Sequence, residues 1–524
     1  MIDSSGEENA PVAAAPLISI IALAQNSSST FSKLIGSVLD PRVEVLVVAT
    51  SDRTSVTTAY PKRVRRITSP SESTADLASS GMRSARGTYV YFAQQDSEFS
   101  SGTLDTICGI FESNSDVGVL YTDHAAHHLG RRGPWIVPKP DYSPERLRSQ
   151  FYYGETVFYS LELVREAQWP DRGLPGAEFY DLALRASHKA KKVTHLAEIL
   201  TVFTADVQRP GVIHGQEGLE STRAVLKRYL ESTGGGTVRG VSPSGIHDTR
   251  RSVIGEPLVS IVIPTRGSYG DVRGKRTCLI LEAVRSVLRL SSYANYEFVV
   301  VMDELADQDV VDELIAIAGD RLRLVWWRQP FSFSGKVNFG AFCSAGEYLL
   351  FLNDDIEVIS PDWIEAMLAL GQLPGAGMVG AMLYFEDDTI QHAGHLYEGG
   401  DAGHIGIFLP RGSEGPFGAF LLEREASGVT AACSLVSNKV FEEGGGFSLL
   451  LPGNFNDVDL CLKINELGYT NYWTPHAELY HYESKSRDSR VARYEVETAW
   501  GRWEWKLDDR SFWPYGVWAD DAIG

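Results

Sequence analysis

The chain has little cysteine, too little positive charge for its acid content, and no long apolar run. Its five cysteines, Cys108, Cys278, Cys343, Cys433 and Cys461, are an odd, scattered set without a C-x-x-C pair. That pattern excludes a disulfide framework and a cysteine zinc site, and it fits a reducing compartment. Lys and Arg number 48 against 68 Asp and Glu, a net charge of -20 at pH 7. Tight nucleic-acid binding needs phosphates neutralised by basic side chains, so that class is excluded, as is general adhesion to anionic lipid. Nowhere does the sequence offer the roughly 20 consecutive apolar residues that cross a bilayer. Met1 to Pro16 lacks the basic and then apolar regions of a signal peptide, and residues 1–14 read as a disordered tail. The expectation is a soluble, cytoplasmic protein, with peripheral contact at the inner face of the plasma membrane left open. No G-x-G-x-x-G follows a strand, which speaks against dinucleotide-dependent oxidoreduction.

What is present is an ordinary globular composition, 44% hydrophobic and 22% charged, over 524 residues, too many for one domain. One plan is written twice. Pro16-Leu17-Ile18-Ser19-Ile20-Ile21 parallels Pro257-Leu258-Val259-Ser260-Ile261-Val262, each a β-branched run after a breaker, as in a buried strand. Ser84 to Phe92 parallels Ser344 to Phe351 with Arg86 opposite Ala345, and both runs end in polar clusters, Gln94-Gln95-Asp96 and Asn353-Asp354-Asp355. Glu178 to Arg185 parallels Asn456 to Lys463. Strand signals alternate with helical ones in each copy, which predicts α/β domains with mainly parallel sheets and ligand sites beyond the strands' carboxyl ends. The expected organisation is a first copy over 15–207, a helix and polar connector over 208–256, a second copy over 257–490, and a helical, aromatic tail over 491–524. The tail holds Trp500, Trp503, Trp505, Trp513 and Trp518, a set read as packing. Phe151-Tyr152-Tyr153 reads first as core, with stacking on sugar rings as the alternative.

The chemistry is concentrated in the second copy. The apolar run Tyr348 to Leu352 delivers Asp354 and Asp355 side by side at its exposed end. Adjacent carboxylates repel, and a divalent cation such as magnesium or manganese relieves the repulsion; a solvated pair capping the next turn is the alternative. Asp457 and Asp459 stand at the start of a helix, where the dipole and free amides favour carboxylates. Asp459 reads as a cap, and Asp457 as the group placed to take a proton from a hydroxyl. His481 precedes Lys485 and Arg487, so it could be a third metal ligand while the two cations meet diphosphate charge.

Taken together, Phe333-Ser334-Gly335-Lys336-Val337-Asn338-Phe339-Gly340, Leu352-Asn353-Asp354-Asp355, Ile390-Gln391-His392-Ala393-Gly394, Val429-Thr430-Ala431-Ala432-Cys433, Phe455-Asn456-Asp457-Val458-Asp459 and His481-Tyr482-Glu483-Ser484-Lys485-Ser486 resemble family-two glycosyltransferases of the GT-A fold, in particular bacterial rhamnosyl- and galactofuranosyltransferase-like enzymes of surface polysaccharide synthesis. The resemblance implies two tandem GT-A-like domains and a nucleotide-sugar donor. Asp354 would face the ribose, Asp355 and His481 would hold Mn2+ or Mg2+, and Asp457 would be the base. Pro264, Thr265, Arg266, Asp303 (beside Met302), Lys336, Asn338, Lys485 and Arg487 would hold the donor. His392, Thr430 and Asn456 fall on the acceptor side, Asn456 standing where the family commonly has Glu. The acceptor is expected to be a glycan or lipid-linked glycan. No Q-x-x-R-W motif of the processive synthases is present.

Set against the second copy, the first has lost its chemistry. Gln95 opposes Asp354, Phe179 opposes Asp457, and Thr201 (or Phe203 in a shifted register) opposes His481, while Asp96 matches Asp355. Phe cannot accept a proton, so the first copy is expected to be non-catalytic. The expected activity is a metal-dependent, inverting sugar transfer. A non-catalytic glycan- or nucleotide-binding scaffold is the rival reading.

Overall fold

A computed structural model of the chain describes residues 15–25, 31–51, 63–93, 97–127, 134–203, 215–243, 245–482 and 491–515. It divides into two compact units, Met1–Tyr142 with Phe151–Tyr229, and Ser143–Gln150 with Leu230–Gly524. The short segment Ser143–Gln150 thus belongs with the second unit, where Arg148 pairs with Glu145 and Glu423.

In the first unit the sheet runs in the order Val64–Ser69, Val43–Thr50, Ile18–Leu23, Tyr89–Ala93, Val157–Ser160, Val117–His127, Lys192–Phe203, Ser97–Phe99. The first four strands are parallel, and Val157–Ser160 lies antiparallel beside them. Ile18–Leu23 is buried along its whole length, as an apolar strand covered on both faces requires. Tyr152 and Tyr153 are buried, Tyr153 stacks on Tyr121 at 4.2 Å, and Phe151 stacks on Tyr180 at 5.3 Å, so this aromatic segment is core.

For the second unit we number the strands β1 (Val259–Thr265), β2 (Tyr296–Asp303), β3 (Leu322–Trp327), β4 (Tyr348–Leu352), β5 (Ile356–Val358), β6 (Ala376–Tyr384), β7 (Ile390–His392), β8 (His395–Glu398), β9 (Asp401–His404), β10 (Cys433–Ser437) and β11 (Thr470–His481). The helices are α1 (Leu279–Leu290), α2 (Gln308–Ala318), α3 (Phe333–Phe342), α4 (Trp363–Gly371), α5 (Asn456–Glu466) and α6 (Arg493–Trp503). The sheet order is β3-β2-β1-β4-β10-β6-β11-β5, the order of the first unit repeated. Strands β3 to β4 are parallel and β10 is antiparallel beside β4. Alternation sorts the strand residues. Ile261, Ile263, Val300 and Leu350 pack with Ile280, Val284 and Trp363 on one face, while Val262, Val299 and Phe351 pack with Val337 and Ala341 of α3 on the other. The α/β class and the site-bearing parallel strands are as the sequence led us to expect.

The duplication extends to a buried polar knot. In the second unit Ser260 Oγ donates to Glu297 at 2.6 Å, and Gly346 N donates to Ser260 Oγ at 2.9 Å. In the first, Ser19 Oγ donates to Glu44 at 2.7 Å and Gly87 N to Ser19 Oγ at 2.9 Å. Arg86 and Ala345 each donate their N–H to the same glutamate of their own unit, which confirms their alignment. Within the polar connector, an antiparallel hairpin, Gly236–Val241 with His247–Arg251, follows the helix Gly215–Ser232.

Candidate functional site

The parallel strands of the second unit end at one cavity of about 380 Å³, within the size range of small-ligand sites. Its wall includes Asp355, Asp457 and His481, the three groups whose convergence sugar transfer would require.

Part of the lining is built from strand ends. At the end of β1, Thr265 Oγ1 donates to Asp354 Oδ2 at 2.5 Å and accepts from Gly267 N at 3.0 Å. The left-handed φ of 72° at Gly267 lets the chain turn away from the strand there. Burial, with the charge of Asp355 added to it, pushes the Asp354 carboxyl up to about 7, against the pull of Thr265, Lys336 and Arg266. Pro264, Thr265, Arg266 and Lys336 also line the cavity, and Arg266 lies over the Phe331 ring at 5.4 Å. Lys336 is buried; its Nζ donates to Thr265 O at 2.8 Å and pairs with Asp303. Asn338 departs from the donor-binding expectation. Its Nδ2 donates to Phe447 O at 2.8 Å and its Oδ1 accepts from Phe447 N at 2.9 Å, so its amide is spent on pinning a loop. Lys485, Arg487, Gln95, Asp96 and Trp518 lie outside the described residues.

Register delivers the next pair. β5 runs antiparallel to the end of β11, with Ile356 opposite His481, so Asp355 arrives beside the imidazole. His481 Nε2 stands 3.2 Å from Asp355 Oδ1 and 3.1 Å from Asn353 Nδ2, and its Nδ1 lies 2.6 Å from Gln391 Oε1. An Asn N–H donating to Nε2 and a carbonyl accepting from Nδ1 select the neutral tautomer protonated at Nδ1. Nε2 therefore carries no proton of its own; it accepts from Asn353 and stands beside the Asp355 carboxylate. Nitrogen and hard oxygen at this spacing fit a divalent cation, and a carbonyl behind the imidazole is the usual means of aiming such a ligand. In the sequence Gln391 stands out only as part of a motif, beside the more conspicuous His392.

Asp457 lines the same cavity. It sits in the first turn of α5, after Phe455 in the left-handed region (φ 55°). Its Oδ2 accepts from Ala431 N at 3.1 Å, its Oδ1 accepts from Val458 N at 2.9 Å, and His395 Nε2 is 4.0 Å from Oδ2. Burial works to raise this carboxyl, but His395, the Ala431 N–H, His404 and Thr430 outweigh it and hold it below the ordinary range. Asn456 and Thr430 line the cavity as well. Asp459 is not the cap we expected. It is buried, pairs with Lys463 and Arg502, and accepts from Trp503 Nε1 at 2.8 Å.

His392, His395 and His404 offer ring nitrogens within 4.8 Å of one another, a second set that could hold a metal. The hydrogen bonds argue otherwise. Thr430 N donates to His392 Nε2 at 3.2 Å, so Nδ1 carries the ring proton and donates to His404 Nδ1 at 2.7 Å. Both ring nitrogens of His392 are thus engaged, one by a backbone N–H and one by a second imidazole.

In the first unit, Ser97 pairs with Phe203 as Ile356 pairs with His481, so Phe203, not Thr201, stands in the histidine's place. Phe179 packs against Phe92 and Trp169.

Residues 260–445 match the model of glycosyl transferase family 2. The chain is 32% identical over 451 residues to the uncharacterised protein y4gI of Sinorhizobium fredii, an alignment covering 83% of this chain and 49% of that one. It is 31% identical over 434 residues to the O-antigen biosynthesis protein RfbC of Myxococcus xanthus, covering 81% of this chain and 33% of that one. The chain thus spans at most about half the length of these curated relatives. Among solved structures, the mannosyltransferase PcManGT of Pyrobaculum calidifontis, in complex with GDP-Man and Mn2+, aligns with a TM-score of 0.33 and 14% identity over 45% of this chain and 60% of that one. GalNAc-T7 with UDP, GalNAc and Mn2+ aligns with a TM-score of 0.39 and 12% identity over 57% and 59%. Structural likenesses this weak carry no inference about the chemistry of this chain. No helix among the described residues is long and apolar enough to cross a membrane.

Proposed function

We propose that the second unit, which matches the glycosyl transferase family 2 model over residues 260–445, moves a sugar from a nucleotide-sugar donor to an acceptor hydroxyl by single displacement, with inversion, in polysaccharide synthesis. The observation that supports this reading is the shared cavity, lined by an N/O donor pair, Asp355 and His481, and by a hydrogen-bonded carboxylate, Asp457.

Asp355 and His481 would hold Mn2+ or Mg2+, which when bound supplies charge to the leaving diphosphate. Thr265 fixes Asp354, and Lys336 braces the end of β1, so the nucleotide meets a preset surface. Asp457 takes the proton from the acceptor hydroxyl as its oxygen attacks the anomeric carbon. Two backbone N–H groups hold both carboxylate oxygens, and a lowered pKa keeps them deprotonated at neutral pH. Attack opposite the leaving group inverts the configuration, and no covalent nucleophile is needed. The acceptor is a glycan or lipid-linked glycan, a reading that leans on the likeness to an O-antigen biosynthesis protein. The first unit is non-catalytic in this scheme, with Phe203 and Phe179 in place of imidazole and base.

A donor-hydrolysis screen of the purified chain against a panel of nucleotide sugars with manganese tests the class of reaction. Release of nucleoside diphosphate from one or a few donors is expected; release from none, with tight binding of a glycan instead, would favour the scaffold reading.

A further inference from the structure

The loop Leu451 to Phe455 leads into the base-bearing helix α5, and it is held from two directions. On one side Ser334 Oγ donates to Leu451 O at 2.6 Å, and Phe333 N donates to Pro452 O at 2.7 Å, both from the start of α3. On the other side the grip comes from α6, a helix in the tail that the sequence marked only for its tryptophans. Glu495 of α6 is 2% exposed. Its Oε1 accepts from Gly453 N at 2.8 Å and Asn454 N at 2.9 Å, and its Oε2 accepts from Asn454 Nδ2 at 2.9 Å. Gly453, Asn454 and Phe455 all line the cavity.

The far end of the same helix grips α5 itself. Trp503 Nε1 and Arg502 reach Asp459, two residues beyond Asp457. Trp503 and Leu507 bury against Val458 and Leu462. Between these two anchorages the chain passes through Phe455 in the left-handed region (φ 55°), a conformation that L residues adopt only at a cost. An unbraced loop would relax that strain, and Asp457 would move with it. Burying a carboxylate is expensive without strong donors, and here backbone N–H groups supply them; the arrangement places a fixed charge where it orders a loop.

We propose that Glu495 is a positioning residue for sugar transfer: it sets the loop that aims Asp457 at the acceptor, and so makes α6 part of the working site. The proposal rests on Asp457 being the base. A misplacement of about 1 Å costs on the order of 10²-fold in rate, so Glu495→Ala should lower kcat about 10- to 100-fold while the Kd for the nucleotide-sugar donor with manganese stays within about twofold. Glu495→Gln should restore most of the loss. Its carboxamide oxygen still accepts from both loop N–H groups, and Asn454 can turn its amide to accept from the new Nε2. Hydrogen exchange at Gly453 and Asn454 gives an independent reading: fast in the Ala variant, protected in the Gln variant. Asp457→Asn is run beside them. If it keeps full turnover, the base assignment fails whatever Glu495 does. If it is inactive but Glu495→Ala turns over like the parent, the positioning role is overturned. Should Glu495→Ala not fold, Glu495→Gln decides alone, since loss of both amide protection and turnover there contradicts the geometry.

Discussion

Replacing Gln391 with Leu should weaken metal activation without touching a proposed ligand. In the parent the Gln391 carbonyl accepts the His481 Nδ1 proton at 2.6 Å, which leaves Nε2 without a proton, 3.1 Å from the Asn353 amide and 3.2 Å from Asp355 Oδ1. Leucine cannot accept. A buried N–H left unsatisfied costs roughly 1–3 kcal/mol, and the imidazole avoids that cost by moving its proton to Nε2. There it would donate to Asp355, placing a proton where the cation belongs. Binding must then reverse the tautomer, so the apparent metal affinity falls by the same roughly 1–3 kcal/mol, about 5- to 150-fold. This brackets the roughly 10- to 100-fold typical of lost outer partners of metal-bound histidines. The assay is turnover as a function of manganese concentration at saturating donor. The midpoint should move up by about that factor while the plateau is largely regained. An unchanged midpoint with a folded variant would refute the tautomer argument.

Gly346→Ala should destabilise the second unit by about 1–3 kcal/mol, because a Cβ there would lie 2.7 Å from Ser260 N, which cannot yield; thermal melting reads this. Gly87→Ala, with Ser19 N at 2.6 Å, should do the same to the first unit. The acid limb of kcat/KM should lie below about pH 4. A base must be deprotonated, its pKa is depressed below the ordinary 3.8, and activity is therefore lost only as pH falls through that lower value; a limb near about pH 6 would assign the base to another group, such as a histidine. Asp96→Asn should leave transferase turnover unchanged in the donor assay, since the first unit carries Phe203 where the second has His481.

Elements whose signal is local were legible in the sequence. Apolar runs such as Val259 to Ile263 and Tyr348 to Leu352 became the buried parallel strands, and the matched blocks aligned the copies down to Arg86 and Ala345. Groups positioned by register were legible only as a set. Asp355 and His481 lie far apart in the chain and meet because β5 pairs with the end of β11. The same pairing settled Phe203 over Thr201, which no composition could do. Side chains recruited for their hydrogen-bond partners escaped notice or were misread. Asn338 serves Phe447, Asp459 serves Trp503, and Glu495 serves a loop some 41 residues away. Nothing in a periodicity or a motif announces such partners, because the partner is often a backbone N–H common to every residue type.

The measurement closest to the central claim pairs a rate with a binding constant for Asp457→Asn. Single-turnover transfer and donor affinity in the presence of manganese would be determined on the same protein. The account predicts a fall in rate of about 10²- to 10⁴-fold with donor Kd essentially that of the parent. Transfer at the parental rate would contradict it.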